Sequence, residues 1–405
     1  MRNNNNVVKN LLTLGALFAI VVDGSAGYVQ KPISLCSSQE GMAAPEKNAT
    51  MISEPHKYFP TQIKHIVDAA DAISPDAIGL PDDQSYPVID ISPWLNPSMS
   101  SDKEREDVVN QVLEEATTVG SFNIIGHGID DALFDRLYTA ARSFFSMSLE
   151  QKMGYSSGNN LAGFVAYRNE SVASIHKSGS PKEQKDLRET FSMSSPTNND
   201  GNVEGPHEFH NAISEYIEQL QSVEKATKQI FTAALSSAKG IDLPTTYLKD
   251  VEEDATGLLR ASSYPSTPGF EDATKLLPHS DLGTITIVAS SEEGLEEIRD
   301  GRWYKVPMGR GKLHVSVGEV YTMWSNGLFK NNIHRVSKEA KRDRISFPYF
   351  TSQGKRSSNE SVKDVGISPI CHDGEEPRFP RTSTVDHLRK YMGAFTGGKD
   401  DLWDD

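Results

Sequence analysis

Three stretches of this chain carry apolar residues at helical spacing. Ser101-Asp102-Lys103-Glu104 has the form of a capping box, and Val108, Val112, Ala116 and Val119 follow on one face. That helix is expected to stop at Gly120. A second begins after Asp130, with Leu133, Leu137, Ala140, Ala141 and Phe144 turned inward. The longest spans roughly 207–239, and its stripe of Ile213, Tyr216, Ile217, Leu220, Val223, Ile230 and Phe231 reads as core. From 258 to 352 the period changes, and short β-branched runs such as Thr284-Ile285-Thr286-Ile287-Val288 dominate. Helices first and strands later predict an α+β chain with a β-sandwich core.

The first 84 residues follow a different rule. Arg2 and Lys9 precede an apolar run, Leu11 to Val22, that is too short for a confident membrane span. Asp23-Gly24-Ser25-Ala26 then supplies small residues, so 1–26 reads as a secretory-type signal cleaved after Ala26. The expectation is endomembrane entry, or passage to an organelle, with no stable membrane span once the signal is removed. An uncleaved anchor or a cytoplasmic chain is the alternative. Residues 27–84 show no sustained period and read as a linker or extension, with one short helix near 61–73. At the other end, 396–405 is an acidic tail. The sequons at Asn48, Asn169 and Asn359 are near chance frequency for this length.

Composition narrows the classes. The formal net charge of −15 argues against nonspecific nucleic-acid binding, which needs clustered Lys and Arg. Cys36 and Cys371 are the only cysteines, so a zinc ribbon or dithiol motif is excluded. A bridge between them would join an irregular segment to a late loop, and two free thiols are expected instead.

The chemistry concentrates late in the chain. His279 and Asp281 are two apart at the start of a β-type run, so both side chains fall on one side of the backbone. With His334 further on, two imidazoles and one carboxylate can occupy one face of an iron(II) and leave the other positions open. Any one histidine alone is more often structural; the ordered set is what carries the signal. Arg344 and Ser346 share a strand face, offering a planar fork and a hydroxyl donor to a carboxylate. Pro348 and Phe350 continue that parity, so Phe350 either lines the pocket or packs in the core.

These residues, with others in order, resemble the iron(II)- and 2-oxoglutarate-dependent dioxygenases of the isopenicillin N synthase-like family. Pro87-Val88-Ile89-Asp90-Ile91-Ser92 resembles the family's opening strand. Gly120 to Ile129 resembles its glycine-aromatic segment, and Asp186-Leu187-Arg188-Glu189-Thr190-Phe191 its Asp-x-x-Glu-x-Phe. Val317-Gly318-Glu319, Trp324-Ser325-Asn326-Gly327 and His334-Arg335-Val336 follow as the family has them. The likeness covers roughly residues 85 to 395. Ser262, Gly126, Ser121 and Glu319 depart from the usual asparagine, asparagine, aromatic and aspartate, and none is an implied iron ligand.

The resemblance implies a double-stranded β-helix, or jelly-roll, core over 251–395, preceded by a helical region over 85–250. It implies iron at His279, Asp281 and His334, with the distal carboxylate of 2-oxoglutarate on Arg344 and Ser346 and a further hydrogen bond from Tyr264. His127 is expected to be structural. O2 would be consumed, 2-oxoglutarate converted to succinate and CO2, and a small-molecule substrate hydroxylated, desaturated or cyclised, with ascorbate as an accessory reductant. Two alternatives stay open. One is an iron-dependent oxidase whose Arg and Ser hold a substrate carboxylate; the other is a noncatalytic binding protein on the same scaffold.

Overall fold

The computed structural model describes residues 85–157, 162–170, 186–194, 205–247, 257–265, 274–337, 343–351, 366–383 and 387. The signal-like segment, the 27–84 extension with its expected short helix, and the acidic tail lie outside these residues.

All three expected helices form. The first, α2 (Asp102–Thr118), follows the one-turn α1 (Ser92–Leu95) and starts on a complete capping box. The Glu104 amide donates to Ser101 Oγ at 3.2 Å, and the Ser101 amide donates back to the Glu104 carboxylate at 2.7 Å. Val108, Val112 and Ala116 are buried as expected, and Val119 is the C-cap. Gly120 then turns the chain with φ +84°, and a Cβ there would lie 1.9 Å from the Lys330 carbonyl oxygen, so only glycine fits.

The second, α3 (Asp131–Phe145), is capped by the Asp130 carboxylate accepting from the Ala132 amide. After the short α4 (Leu149–Met153) comes α5 (His207–Lys239), whose whole expected stripe is buried. It packs against α2 and α3 and ends at Gly240 in the left-handed conformation.

The strands form two main sheets. The larger has eight, in the order β1-β2-β10-β7-β12-β5-β4-β3. These are β1 (Val88–Asp90), β2 (Ser121–Ile125), β3 (Gly163–Val165), β4 (Glu189–Ser194), β5 (Leu258–Tyr264), β7 (Ile285–Ser290), β10 (Leu313–Val317) and β12 (Arg344–Phe350). The smaller runs β6-β11-β8-β9, from β6 (Leu276–His279), β8 (Leu295–Arg299), β9 (Arg302–Lys305) and β11 (His334–Val336). β10 leads through Gly318 alone to α6 (Glu319–Trp324), and β13 (Gly366–Ile367) pairs with β14 (Thr382–Ser383). Two sheets enclosing one interior, antiparallel at every pairing except β1 with β2, are the jelly-roll expected from the resemblance.

One face of the large sheet packs on the helices. Ile285, Ile287, Ala289, Leu313, Val315, Val317, Ile345, Phe347 and Tyr349 join α5 in a continuous buried core. The alternate residues face the interior. The region before residue 250 is less helical than its pattern suggests, because β1–β4 supply half of the large sheet. β4 is buried at every position, yet Thr190-Phe191-Ser192-Met193-Ser194 alternates polar and apolar residues, and Phe191 and Met193 are the ones that join the core.

The expectation of two free thiols is corrected. Cys371 is disulfide-bonded, and the one other cysteine in the chain is Cys36, outside the described residues. Pairing depends on which segments the fold brings together, and sequence separation says little about that.

Candidate active site

The interior between the two sheets is the site. His279 ends β6 and His334 begins β11, and the two are direct partners in that antiparallel ladder. Residues opposed in this way project to the same face. Their rings lie 4.3 Å apart, centroid to centroid. Asp281 follows β6 by two residues and brings its Oδ1 to 3.8 Å from His334 Nε2. Ligand atoms of all three lie within 4.8 Å of one another.

Second contacts orient each group. His279 Nδ1 is 2.8 Å from the Leu277 carbonyl, and His334 Nδ1 is 3.4 Å from that of Asn332. A proton on each Nδ1 satisfies those carbonyls and leaves Nε2 as the metal-facing lone pair. Ser316 Oγ donates to Asp281 Oδ2 at 3.4 Å, from the opposite sheet. The turn carrying Asp281 is pinned from behind. Its carbonyl accepts from the Glu319 amide at 2.9 Å, and Ser280 Oγ donates to the buried Glu319 carboxylate at 2.9 Å. His387 Nε2 lies 3.2 Å from the other oxygen of Glu319. Gly318 permits this contact: a Cβ there would stand 2.2 Å from the Gly283 carbonyl.

The donor set suits iron(II). Two neutral imidazoles and one carboxylate on one side of a cavity form a facial triad with open positions opposite.

Arg344 and Ser346 lie on the facing sheet and line the same cavity. Arg344 is buried, and its Nη1 donates to Ser346 Oγ at 3.2 Å. Its guanidinium stands 5.2 Å from the centroid of the Tyr264 ring, its cross-strand partner. Burial holds its pKa below the usual value, and Tyr264 offsets part of this. The buried arginines Arg188, Arg260 and Arg335 each pair with a carboxylate. Arg344 has no such partner among the described residues, and its Nε has no hydrogen-bond partner among them. A buried cation without a counter-ion is costly. An acid entering the cavity would relieve that cost.

Phe350 and Pro348 line the cavity, with Leu276, Val288, Leu295 and Val336 completing an apolar wall. His127 stands apart from the triad: its Nδ1 accepts from the Ile129 amide at 3.1 Å, its ring meets Phe134 edge-on, and burial lowers its pKa. It is structural, as expected.

Three residues of the site were not singled out by pattern. Arg188 reaches the cavity from the residue just before β4, and Tyr264 interacts electrostatically with it as well as with Arg344. His314 and Ser316 face the cavity from β10. The signal was available in β10, where polar residues alternate with Leu313, Val315 and Val317 inside a fully buried strand. Burial pushes the His314 pKa down to about 4, so its ring is neutral near pH 7.

Known proteins agree with this geometry. The chain matches the family model of the non-haem dioxygenase in morphine synthesis N-terminal region over residues 86–214, and that of the 2OG-Fe(II) oxygenase superfamily over 255–353. Together they span more than half of the chain. The 2-oxoglutarate-Fe(II) type oxidoreductase hxnY of Emericella nidulans is 26% identical over 320 residues, covering 75% of this chain and 88% of its own. Codeine O-demethylase of Papaver somniferum is 26% identical over 326 residues, covering 78% and 84%. Among solved structures, JOX2 in complex with 2OG, Fe and JA superposes with a TM-score of 0.62 at 22% identity, over 80% of this chain and 89% of that one. The rice dioxygenase for auxin oxidation gives 0.58 at 21% identity, over 78% and 98%. Both structures have the fold described above. The second family model ends just past the strand that carries Arg344 and Ser346 and encloses both histidines and Asp281, and on this agreement the chain belongs to the 2OG-Fe(II) oxygenase superfamily, as an Fe(II)- and 2-oxoglutarate-dependent oxidoreductase.

Proposed function

We propose that His279, Asp281 and His334 hold the iron, that Arg344, Ser346 and Tyr264 receive the distal carboxylate of 2-oxoglutarate, and that the substrate is a small organic molecule with an apolar part. The observation that carries this reading is the pairing of a converging His–Asp–His triad with a buried arginine across the cavity that has no carboxylate partner among the described residues. Iron(II) bound there supplies the activation of O2, coupled to conversion of 2-oxoglutarate to succinate and CO2. The chain's own residues position and exclude. The Leu277 and Asn332 carbonyls hold the two imidazole tautomers. Ser316 and the Glu319 amide hold Asp281. The apolar wall keeps water from the reacting C–H bond.

The relatives bearing named substrates include a coumaroyl and feruloyl CoA ortho-hydroxylase of Ipomoea batatas and the codeine demethylase. They support a small-molecule substrate for this chain without choosing one. The test is an anaerobic titration with iron(II) and then 2-oxoglutarate, followed through the visible charge-transfer band of the chelate. A saturable band lost in Arg344→Ala supports the assignment. Iron binding with no band, and turnover without succinate, would replace it with an oxidase whose substrate carboxylate sits on Arg344.

We also propose that the protein enters the endomembrane system. The apolar run Leu11–Val22 supports this, as does the disulfide at Cys371, since such bonds persist in oxidising compartments. The mass of the N-terminal peptide of protein from its native cells tests cleavage after Ala26; an intact Met1 on cytosolic protein would reject it.

A further inference from the structure

A second cavity, of about 360 Å3, opens outside the barrel between α3, the end of β7 and the turn at Gly309–Lys312. It shares no lining residue with the iron pocket. Its size is within the range of small-molecule sites.

Its walls have a definite chemistry. Phe134 and Tyr138, one helical turn apart on α3, make an aromatic side. Arg142 continues the same face a turn later, and Lys312 stands across from α3 on the turn. Arg310 is already neutralised, with Nη2 2.6 Å from Asp135 and Nε 3.2 Å from Asp131. Arg142 and Lys312 have no carboxylate partner among the described residues, so the cavity has an excess of positive charge. Burial raises the Tyr138 pKa, which keeps its hydroxyl protonated as a donor. Behind this wall lies a second phenol. Tyr216 packs on Phe134 and Phe347, is fully buried, and its hydroxyl has no hydrogen-bond partner among the described residues.

We propose that this cavity is a second small-molecule site, taking an organic carboxylate with a flat apolar ring. The ring stacks along Phe134 and Tyr138, and the carboxylate meets Arg142 and Lys312. The proposal does not rest on the iron assignment. The two sites are neighbours all the same, because the Tyr138 ring lies 5.3 Å from that of Phe347, which adjoins Ser346 in β12.

The probe is benzoate, titrated by calorimetry and saturation-transfer NMR into the 405-residue chain under nitrogen, in excess 2-oxoglutarate and iron(II). The expected result is saturable binding that weakens about tenfold or more in Arg142→Ala. It is lost in Thr139→Trp, which fills the cavity from an exposed helix position. Benzamide, the neutral isostere, binds at least about tenfold more weakly. Circular dichroism and the thermal midpoint confirm that both variants fold. The proposal is overturned if benzoate binds both variants as it binds the parent chain, if added 2-oxoglutarate displaces it competitively, or if no saturable binding occurs up to about 10 mM.

Discussion

His279 and His334 face each other across one ladder of the small sheet, with their rings 4.3 Å apart, although most of a barrel separates them in sequence. Backbone pairing therefore sets the two imidazoles side by side. Replacing His279 or Asp281 by Ala should leave the circular dichroism spectrum intact and lower turnover by more than about 100-fold, since even contacts behind metal ligands are worth 10–100-fold. Turnover near the parent level in either variant would remove these residues from the iron site.

Arg344 is expected to act in opposite directions on stability and on function. With no carboxylate partner among the described residues, this buried cation costs folding free energy, so Arg344→Met should leave the ligand-free protein as stable or make it more stable. The same change should raise the KM for 2-oxoglutarate by about 10-fold to 100-fold, the worth of a lost charged hydrogen bond. Thermal midpoints with and without 2-oxoglutarate read both effects, because ligand stabilisation disappears with affinity. A marked fall in the ligand-free midpoint would mean that the guanidinium is already satisfied.

Glu319 holds the turn of Asp281 without touching the cavity. Glu319→Ala removes the acceptor of Ser280 and the neighbour of His387. Iron affinity should fall about 10–100-fold, the usual cost of an outer contact, while kcat measured at saturating iron changes much less. Cobalt(II) absorption gives an independent reading of ligand geometry in the same variant.

His314 sets part of the acid limb of stability. Its folded pKa of about 4 lies below the ordinary 6.5, with desolvation as the largest cause. The unfolded chain then binds more protons between these values, so stability is full above pH 6.5 and declines as pH falls toward 4. The loss is on the order of 3 kcal/mol. In His314→Gln, urea midpoints measured across this window should vary less with pH than in the parent. Identical profiles would show that other groups control the decline.

Reduction should weaken the fold. Disulfides closing long loops stabilise by about 2–4 kcal/mol, so dithiothreitol or Cys371→Ala should lower the thermal midpoint. Non-reducing peptide mapping should recover Cys36 and Cys371 in one linked fragment. Two unlinked peptides would refute the bridge.

The legible parts of this chain were those where chemistry and period coincide. The capping box at Ser101, the Asp130 cap and the stripe of α5 fell at their expected places because each is a local device. The His–Asp–His set and Arg344–Ser346 were readable because residue type and parity agreed on what the geometry needed. β2 and β4 were harder, since each is a short alternating run set among longer helical patterns, and its place in the large sheet depends on strands far along the chain. Arg188 and Glu319 were hidden for another reason: their roles come from contacts with distant strands and turns, which no local pattern encodes. The disulfide at Cys371 belongs with these, because it records a long-range proximity that two isolated cysteines do not announce.

The proposed iron ligands stand on the small sheet, apart from the turn of Asp281, and Arg344 and Ser346 stand on the large one. A co-substrate that touches both groups is then a spacer between two plates, and the barrel works as a caliper. On the proposed assignment, the separation of the two sheets would favour one chain length of diacid over shorter or longer ones. Packing changes far from the cavity, on the helical side of the large sheet, would reset that width and with it the choice of acid.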